Sequence, residues 1–117
     1  MGSELLNLEI VLDCSDPEAL APFWAGALGY RIQGYREPYL ALVPEVGDGP
    51  RFILQRVPEP RPGKNRMHVD IKTPDMESEA NRLEKLGASR LVNSPESGGD
   101  WIVMCDPEGN EFCVCQE

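Results

Sequence analysis

The sequence predicts an α+β fold built from two βαβββ repeats, and three observations predict it. Residues 7–17 (NLEIVLDCSDP) and 65–75 (NRMHVDIKTPD) follow one plan, an alternating strand and then an acidic residue that opens a helix. Glu9 and Asp16 of the first segment match His68 and Asp75 of the second. Each helix closes on Leu-Gly, at Leu28-Gly29 and Leu86-Gly87, and each is followed by three short strand-like runs. At 117 residues the chain is expected to be one domain, residues 1–117. Repeat one covers about 5–57, a connection 58–64, and repeat two about 65–117.

In the first repeat, Leu6, Leu8, Ile10 and Leu12 alternate with Asn7, Glu9, Val11 and Asp13, the period of a strand with one apolar face. Asp16 is placed to cap a helix, with Pro17 at its first position and Glu18 in its first turn. Leu20, Phe23, Trp24, Ala27 and Leu28 form its apolar stripe, which makes Trp24 a core residue. Gly29 supplies the left-handed residue that ends it. Strands are expected at Tyr30–Tyr35, Tyr39–Val43 and Arg51–Val57, with Phe52 and Leu54 facing one side of the last and Ile53 and Gln55 the other. Pro58 to Gly63 reads as a stiff, extended connection.

The second repeat begins with a strand whose apolar face is Met67, Val69 and Ile71 and whose polar face is His68, Asp70 and Lys72. Asp75 caps a helix with the stripe Met76, Ala80, Leu83 and Leu86, stopped by Gly87. A short strand at Arg90–Asn93, a polar loop to Asp100 and a strand at Trp101–Cys105 follow. Asp106-Pro107-Glu108-Gly109 has the composition of a type I turn with a left-handed glycine, and Glu111–Gln116 completes the hairpin.

Each helix has one apolar stripe, so each lies on one face of a sheet and covers the strands' apolar side. The opposite side then gathers Glu9, Asp13, Gln55, His68 and Asp70, a polar load that suits a wet concave site better than a core.

Composition bounds the function classes. Twenty acidic residues against eleven basic ones give a net charge of −9, which argues against nucleic acid and against an anionic membrane surface. No apolar run is long enough to span a bilayer, and no signal peptide is expected. Cys14, Cys105, Cys113 and Cys115 contain no CxxC pair. Cys113 and Cys115 share a strand face about 7 Å apart, too far for an easy disulfide. They read as reduced thiols of a cytoplasmic protein.

The segments LDCSDPEALAPFW and KNRMHVDI, the tail WIVMCDPEGNEFCV and the Leu-Gly helix ends resemble the vicinal oxygen chelate superfamily. This is the group of glyoxalase I, bleomycin-resistance proteins and extradiol dioxygenases, and the pattern is most similar to its small glyoxalase-like domain proteins. The resemblance covers nearly the whole chain. It implies a curved eight-stranded mixed sheet with helices on the convex face, a concave ligand cavity and a homodimer. In metal-dependent members four ligands, mostly His and Glu, come from the first and last strands of each half. Carried over, Glu9 and His68 take the first-strand positions. Cys113 stands where such relatives have a Glu, with Glu111 two residues earlier on the same face. Ile53, which cannot bind a metal, takes the last position, with Gln55 as its polar neighbour. No resident metal or other cofactor is therefore expected. A Zn, Ni, Mn or Fe ion, if held, would use Glu9, His68 and Cys113.

The leading functional expectation is a small organic molecule bound without metal by Glu9, Asp13, Gln55, His68, Asp70, Trp101 and Cys113, with no nucleic-acid or membrane partner. Trp101 reads equally as a cavity wall or as packing at a dimer seam. Without a metal, Glu9 and His68 bond to each other or to the ligand. The alternative is a metal-dependent lyase, isomerase or dioxygenase that chelates vicinal oxygens of its substrate while Glu9 moves a proton. A third expectation is metal-free acid–base chemistry, with His68 as base oriented by Asp70 or Glu9.

Overall fold

A computed structural model of the chain describes residues 8–60, 63, 65, 67–91 and 100–117. Expectations that fall on residues 5–7, on 61, 62, 64 and 66, and on 92–99 lie outside these: the start of the first strand, parts of the connection, the end of the Arg90–Asn93 strand and most of the polar loop. The elements are β1 (Glu9–Cys14), α1 (Pro17–Leu28), β2 (Tyr30–Arg36), β3 (Tyr39–Pro44), β4 (Arg51–Arg56), β5 (Asp70–Thr73), α2 (Met76–Leu86), β6 (Ser89–Arg90), β7 (Trp101–Cys105) and β8 (Glu111–Gln116). The chain forms two compact units that meet in sequence at residue 60. Each is a βαβββ module with one open four-stranded mixed sheet, in the orders β1-β4-β3-β2 and β5-β8-β7-β6. In both, the first strand runs parallel to the last and the remaining pairs are antiparallel. No helix among the described residues is long and apolar enough to cross a membrane.

The helix boundaries follow from local chemistry and repeat in both units. Asp16 (φ −141°, ψ 89°) accepts a hydrogen bond from the Ala19 N–H at 3.2 Å, and Asp75 (φ −139°, ψ 89°) accepts one from the Ser78 N–H at 3.1 Å. Each carboxylate satisfies a donor that the first turn leaves open and sits at the positive end of the helix dipole. Gly29 ends α1 at φ +70°, a left-handed conformation that costs a glycine little.

In the first unit α1 packs across β2, β3 and β4. Leu20, Phe23, Trp24 and Ala27 are buried against Leu40, Leu42, Phe52 and Leu54. The Trp24 ring stacks on Phe52 at 5.1 Å between centroids, and Phe23 meets Trp24 edge-on. The expected apolar face of β1 is less covered than its alternation suggests, since Ile10 is 40% exposed. β1 is an edge strand of its sheet, and the helix packs mainly over the other three.

In the second unit Met76, Ala80 and Leu83 pack over Ile102, Met104, Phe112 and Val114. Two expectations are corrected here. Leu86 does not complete the stripe; it is exposed at the last helical position, and Ala88 is buried just beyond it. The strand expected from Met67 starts only at Asp70, so Met67 and His68 precede it and Met67 is 84% exposed. The described ladder to β8 begins where the Val69 carbonyl accepts the Cys113 N–H at 2.9 Å.

The Asp106–Gly109 turn forms as the composition indicates, with Gly109 at φ +89°. The Gly109 N–H donates to the Asp106 carbonyl at 2.8 Å. The buried Asp106 carboxylate accepts from the N–H groups of Glu108 and Asn110, at 2.9 and 2.8 Å, and from the Asn110 side-chain amide.

On α2, the Arg82 guanidinium donates to Glu79 at 3.0 and 2.7 Å and holds its carboxyl below the usual range. A lowered folded pKa means that this stabilisation is present above the ordinary Glu range and is lost as pH falls through the folded value. Glu79→Gln is therefore expected to cost up to about 0.5 kcal/mol at pH 7, the scale of a partly exposed helical pair. The difference should close below about pH 4. Urea unfolding at both pH values checks this, and an equal loss at both would place the effect in packing instead of charge.

Candidate functional site

The face of the first sheet turned away from α1 is set by strand register. The β1–β4 ladder pairs Glu9 with Arg51, Val11 with Ile53 and Asp13 with Gln55, and β3 adds Ala41 beside Ile53 and Tyr39 beside Gln55. A register shift in β2 between Ile32 and Gly34 inserts an extra residue, after which Gly34 and Arg36 pair with Ala41 and Tyr39. These strands enclose an open concavity of about 690 Å³. Val11, Ala41 and Ile53 supply its apolar surface; Glu9, Arg51, Gln55 and Tyr39 supply polar groups, and residues 33–36 line one side. Glu9 Oε2 lies 3.2 Å from Arg51 Nε, both side chains about half exposed. Beside the concavity, the Tyr35 hydroxyl donates to the Glu37 carboxylate, which is paired at 3.0 Å with Arg56 Nε. Arg56 Nη1 donates in turn to the Ser15 carbonyl at 2.8 Å, tying the end of β4 to the residue before the α1 cap.

On the second sheet, the face turned away from α2 pairs Asp70 with Cys113 and Lys72 with Cys115. Across β8 and β7, Cys113 meets Val103, Cys115 meets Trp101 and Glu111 meets Cys105. Three of the four cysteines thus share one face, and none of the four is in a disulfide. His68 lies two residues before the start of β5, with Nε2 3.1 Å from Asp70 Oδ1. One ligand atom each from His68, Asp70 and Cys113 lies within 4.8 Å of the others. Burial, helped by the nearby Asp70 charge and opposed by Lys72, pushes the Cys115 thiol up from its usual range.

The two halves repeat a backbone plan and differ in chemistry at matching register positions. The Val11–Ile53 pair of the first sheet corresponds to Asp70–Cys113 of the second. The first half therefore has an apolar centre with an ion pair beside it, and the second has nitrogen, oxygen and sulfur donors. That donor set suits a divalent metal in kind. The two aliphatic side chains at the matching places do not.

The expected site residues divide accordingly. Glu9 and Gln55 line the first-sheet concavity, while Asp13, register partner of Gln55, falls outside its lining. His68, Asp70 and Cys113 form one group, and Trp101, 42% exposed, lies on the same sheet face opposite Cys115. Of the two carboxylates expected to orient His68, Asp70 is bonded to it and Glu9 is bonded to Arg51. Sequence reasoning passed over Arg51, Tyr39 and the 33–36 segment. The alternation of Arg51 with Ile53 and of Tyr39 with Ala41 would have placed them on the polar face had it been carried to the sheet as a whole.

A family model described as a glyoxalase-like domain matches residues 9–115. Among solved structures, the chain is similar to the fosfomycin resistance protein FosX from Mesorhizobium loti, at 19% identity and a TM-score of 0.72, covering 100% of this chain and 94% of that one. It is similar to the bleomycin-binding protein of Streptomyces verticillus, solved with copper(II)-bleomycin, at 17% identity, a TM-score of 0.67 and 99% coverage of both chains. It is also similar to a FosX from Listeria monocytogenes solved with Mn(II) and dihydroxypropylphosphonic acid, at 14% identity, a TM-score of 0.73 and coverage of 98% and 90%. At these identities the likeness concerns the fold, and this fold carries both metal-bound and ligand-binding proteins. No curated protein sequence matches the chain.

Proposed function

Because the chain belongs to the glyoxalase-like domain family, within the vicinal oxygen chelate superfamily, we propose that it binds a small organic molecule in the concavity of its first sheet. The observation that carries this reading is the make-up of that concavity: an apolar centre of Val11, Ala41 and Ile53 ringed by a few polar and aromatic groups, at a volume suited to a drug-sized ligand. The apolar centre gives area to bury, while Glu9, Arg51, Gln55 and Tyr39 fix orientation. The Glu9–Arg51 pair offers one acceptor and one donor group side by side, which suits a ligand with polar groups of both kinds. This binding needs no resident metal. On the second unit, His68, Asp70, Trp101 and Cys113 are proposed as ligand contacts of that sheet's own face, and on the first unit Asp13 is proposed as a more distant charge. On the same reading the protein is a cytoplasmic homodimer, which light scattering and cell fractionation test.

A thermal-shift screen of small polar-aromatic compounds, followed by calorimetry on the hits, tests the reading. Tyr39→Ala and Arg51→Ala are expected to weaken the hits by roughly tenfold or more, which is about 1.4 kcal/mol, with little change in melting temperature because both residues are exposed. Hits that bind both variants as tightly as wild type would remove the first-sheet concavity as the site.

One observation favours a second reading. The His68–Asp70–Cys113 group supports metal-dependent lyase, isomerase or dioxygenase chemistry on a substrate with vicinal oxygens. It requires a bound metal, and turnover lost with metal removal and restored with metal would establish it.

A further inference from the structure

We propose that the first-sheet concavity selects flat aromatic acids with one anionic group, the ring lying in a recess over Gly34 and the acid held by Arg36. This deepens the small-molecule reading and rests on it.

The recess is read from a glycine that the backbone does not need. Glycine inside a strand weakens it, and marks a bulge, a sharp bend or a close approach of something to the backbone. Gly34 follows the register shift in β2. It is not among the glycines of positive φ, so the shift does not require it. Crowding does not require it either, since a methyl group there would meet no heavy atom within 4 Å beyond its chain neighbours. Gly34 lines the concavity, and register places it in a row with Ala41, Ile53 and Val11. The two smallest residues of that row stand side by side on β2 and β3, so the floor is lowest and flattest there. The space above Gly34 is left to a ligand, and a flat ring suits a floor without projecting side chains.

Charge names the other half of the ligand. The next row along the strands is Arg36, Tyr39, Gln55 and Asp13. Such rows stand about 7 Å apart on one face, so a ring over Gly34 with an acid at one end reaches the Arg36 guanidinium. Among the described residues Arg36 has no carboxylate partner, although the chain carries twenty acidic residues against eleven basic ones. The carboxylates nearest to it in the sheet are engaged or distant. Glu37 is held by Arg56 and the Tyr35 hydroxyl, and Glu9 by Arg51. Asp13 stands on the opposite edge strand, three strand spacings or roughly 14 Å away. Salt screens exposed charges at that separation. The Arg36 fork therefore has its donors available for a planar carboxylate, which it can bind through two parallel hydrogen bonds. Tyr39, opposite Arg36 and 48% exposed, offers aromatic surface to the same ligand.

Calorimetry of the full chain with a naphthoate and the neutral naphthamide of the same shape tests both halves of the proposal. Wild type should bind the acid at least about tenfold more tightly than the amide, the scale of one charge-assisted pair. Arg36→Gln should abolish that preference and leave amide affinity unchanged. Arg31→Gln removes the same charge from the same strand outside the concavity lining, and should keep the preference. Gly34→Leu fills the recess and should weaken both compounds at least about tenfold. Its melting temperature should hold or rise, because the leucine enters open space. Binding of neither compound, an amide bound as tightly as the acid, a preference that survives Arg36→Gln or is lost equally in Arg31→Gln, or undiminished affinity in folded Gly34→Leu would each overturn the proposal. If screening hits then still respond to Tyr39→Ala and Arg51→Ala, the concavity stands as the site and only the ligand class falls; if they do not, both fall.

Discussion

Trp24→Ala is expected to destabilise the first unit by about 3–5 kcal/mol, the range for truncating a fully buried aromatic residue. Trp24 is only 2% exposed, lies at the centre of the α1 stripe and stacks on Phe52 at 5.1 Å, with Phe23 against its edge. Removing the indole opens a void lined by rigid side chains on α1 and β4, which cannot close it without moving the strand. For a chain of this length the corresponding fall in melting temperature is on the order of 10–20 °C. The consequence reaches the concavity through a single strand. Phe52 faces the helix, and its neighbours Arg51 and Ile53 face the other way, where they line the proposed site. Loosening β4 should therefore weaken ligand binding in proportion to the fraction unfolded. Trp24→Phe keeps an aromatic surface against Phe52 and is expected to recover more than half of the loss. Urea unfolding of the three proteins measures both changes. A cost below about 1.5 kcal/mol for Trp24→Ala would mean that the site collapses around the missing ring, contrary to the packing described.

Asp106→Ala is expected to cost about 3 kcal/mol by another route, hydrogen bonding to a buried charge. The Asp106 side chain serves the N–H groups of Glu108 and Asn110 and the Asn110 side-chain amide, and Asp106 and Asn110 are buried. Alanine leaves those donors without their acceptor inside the turn. Asp106→Asn keeps one carbonyl oxygen and should lose about half as much. The turn also sets the β7–β8 register, with Glu111 opposite Cys105 and Cys113 opposite Val103. Through the same strand it places Cys113 opposite Asp70. A slackened turn should thus loosen the β7–β8 and β5–β8 register along with stability. Thermal and urea melts of the two variants check the loss of stability, and amide hydrogen exchange along β8 checks the loosened register. A cost under about 0.5 kcal/mol for Asp106→Ala would show that water replaces the carboxylate in the turn.

What can be read from the chain alone here is what short-range physics controls. Asp16 and Asp75 cap helices because a carboxylate three residues ahead of an open N–H satisfies it wherever the helix lies in the fold. Trp24 is buried because its spacing from Leu20 and Leu28 puts it on the apolar stripe. The Asp106–Gly109 turn closes on its own residues, and Gly109 adopts the positive φ that the turn demands. Each of these depends on neighbours within about one helical turn.

The arrangement of the candidate sites depends on neighbours far along the chain, and only the tertiary structure decides it. Alternation tells which side chains share a face of one strand, not which strand lies beside it. That Arg51 faces Glu9, and that Cys113 faces Asp70, are facts of parallel register between segments some forty residues apart. Ile10 keeps the apolar period of a covered strand yet lies 40% exposed on the edge strand of its sheet. His68 fits the period of β5 but sits ahead of its ladder, which frees the imidazole to fold back onto Asp70. Local propensity thus carries the duplicated plan. Inter-strand pairing turns two similar halves into an apolar concavity in one and a cluster of nitrogen, oxygen and sulfur donors in the other.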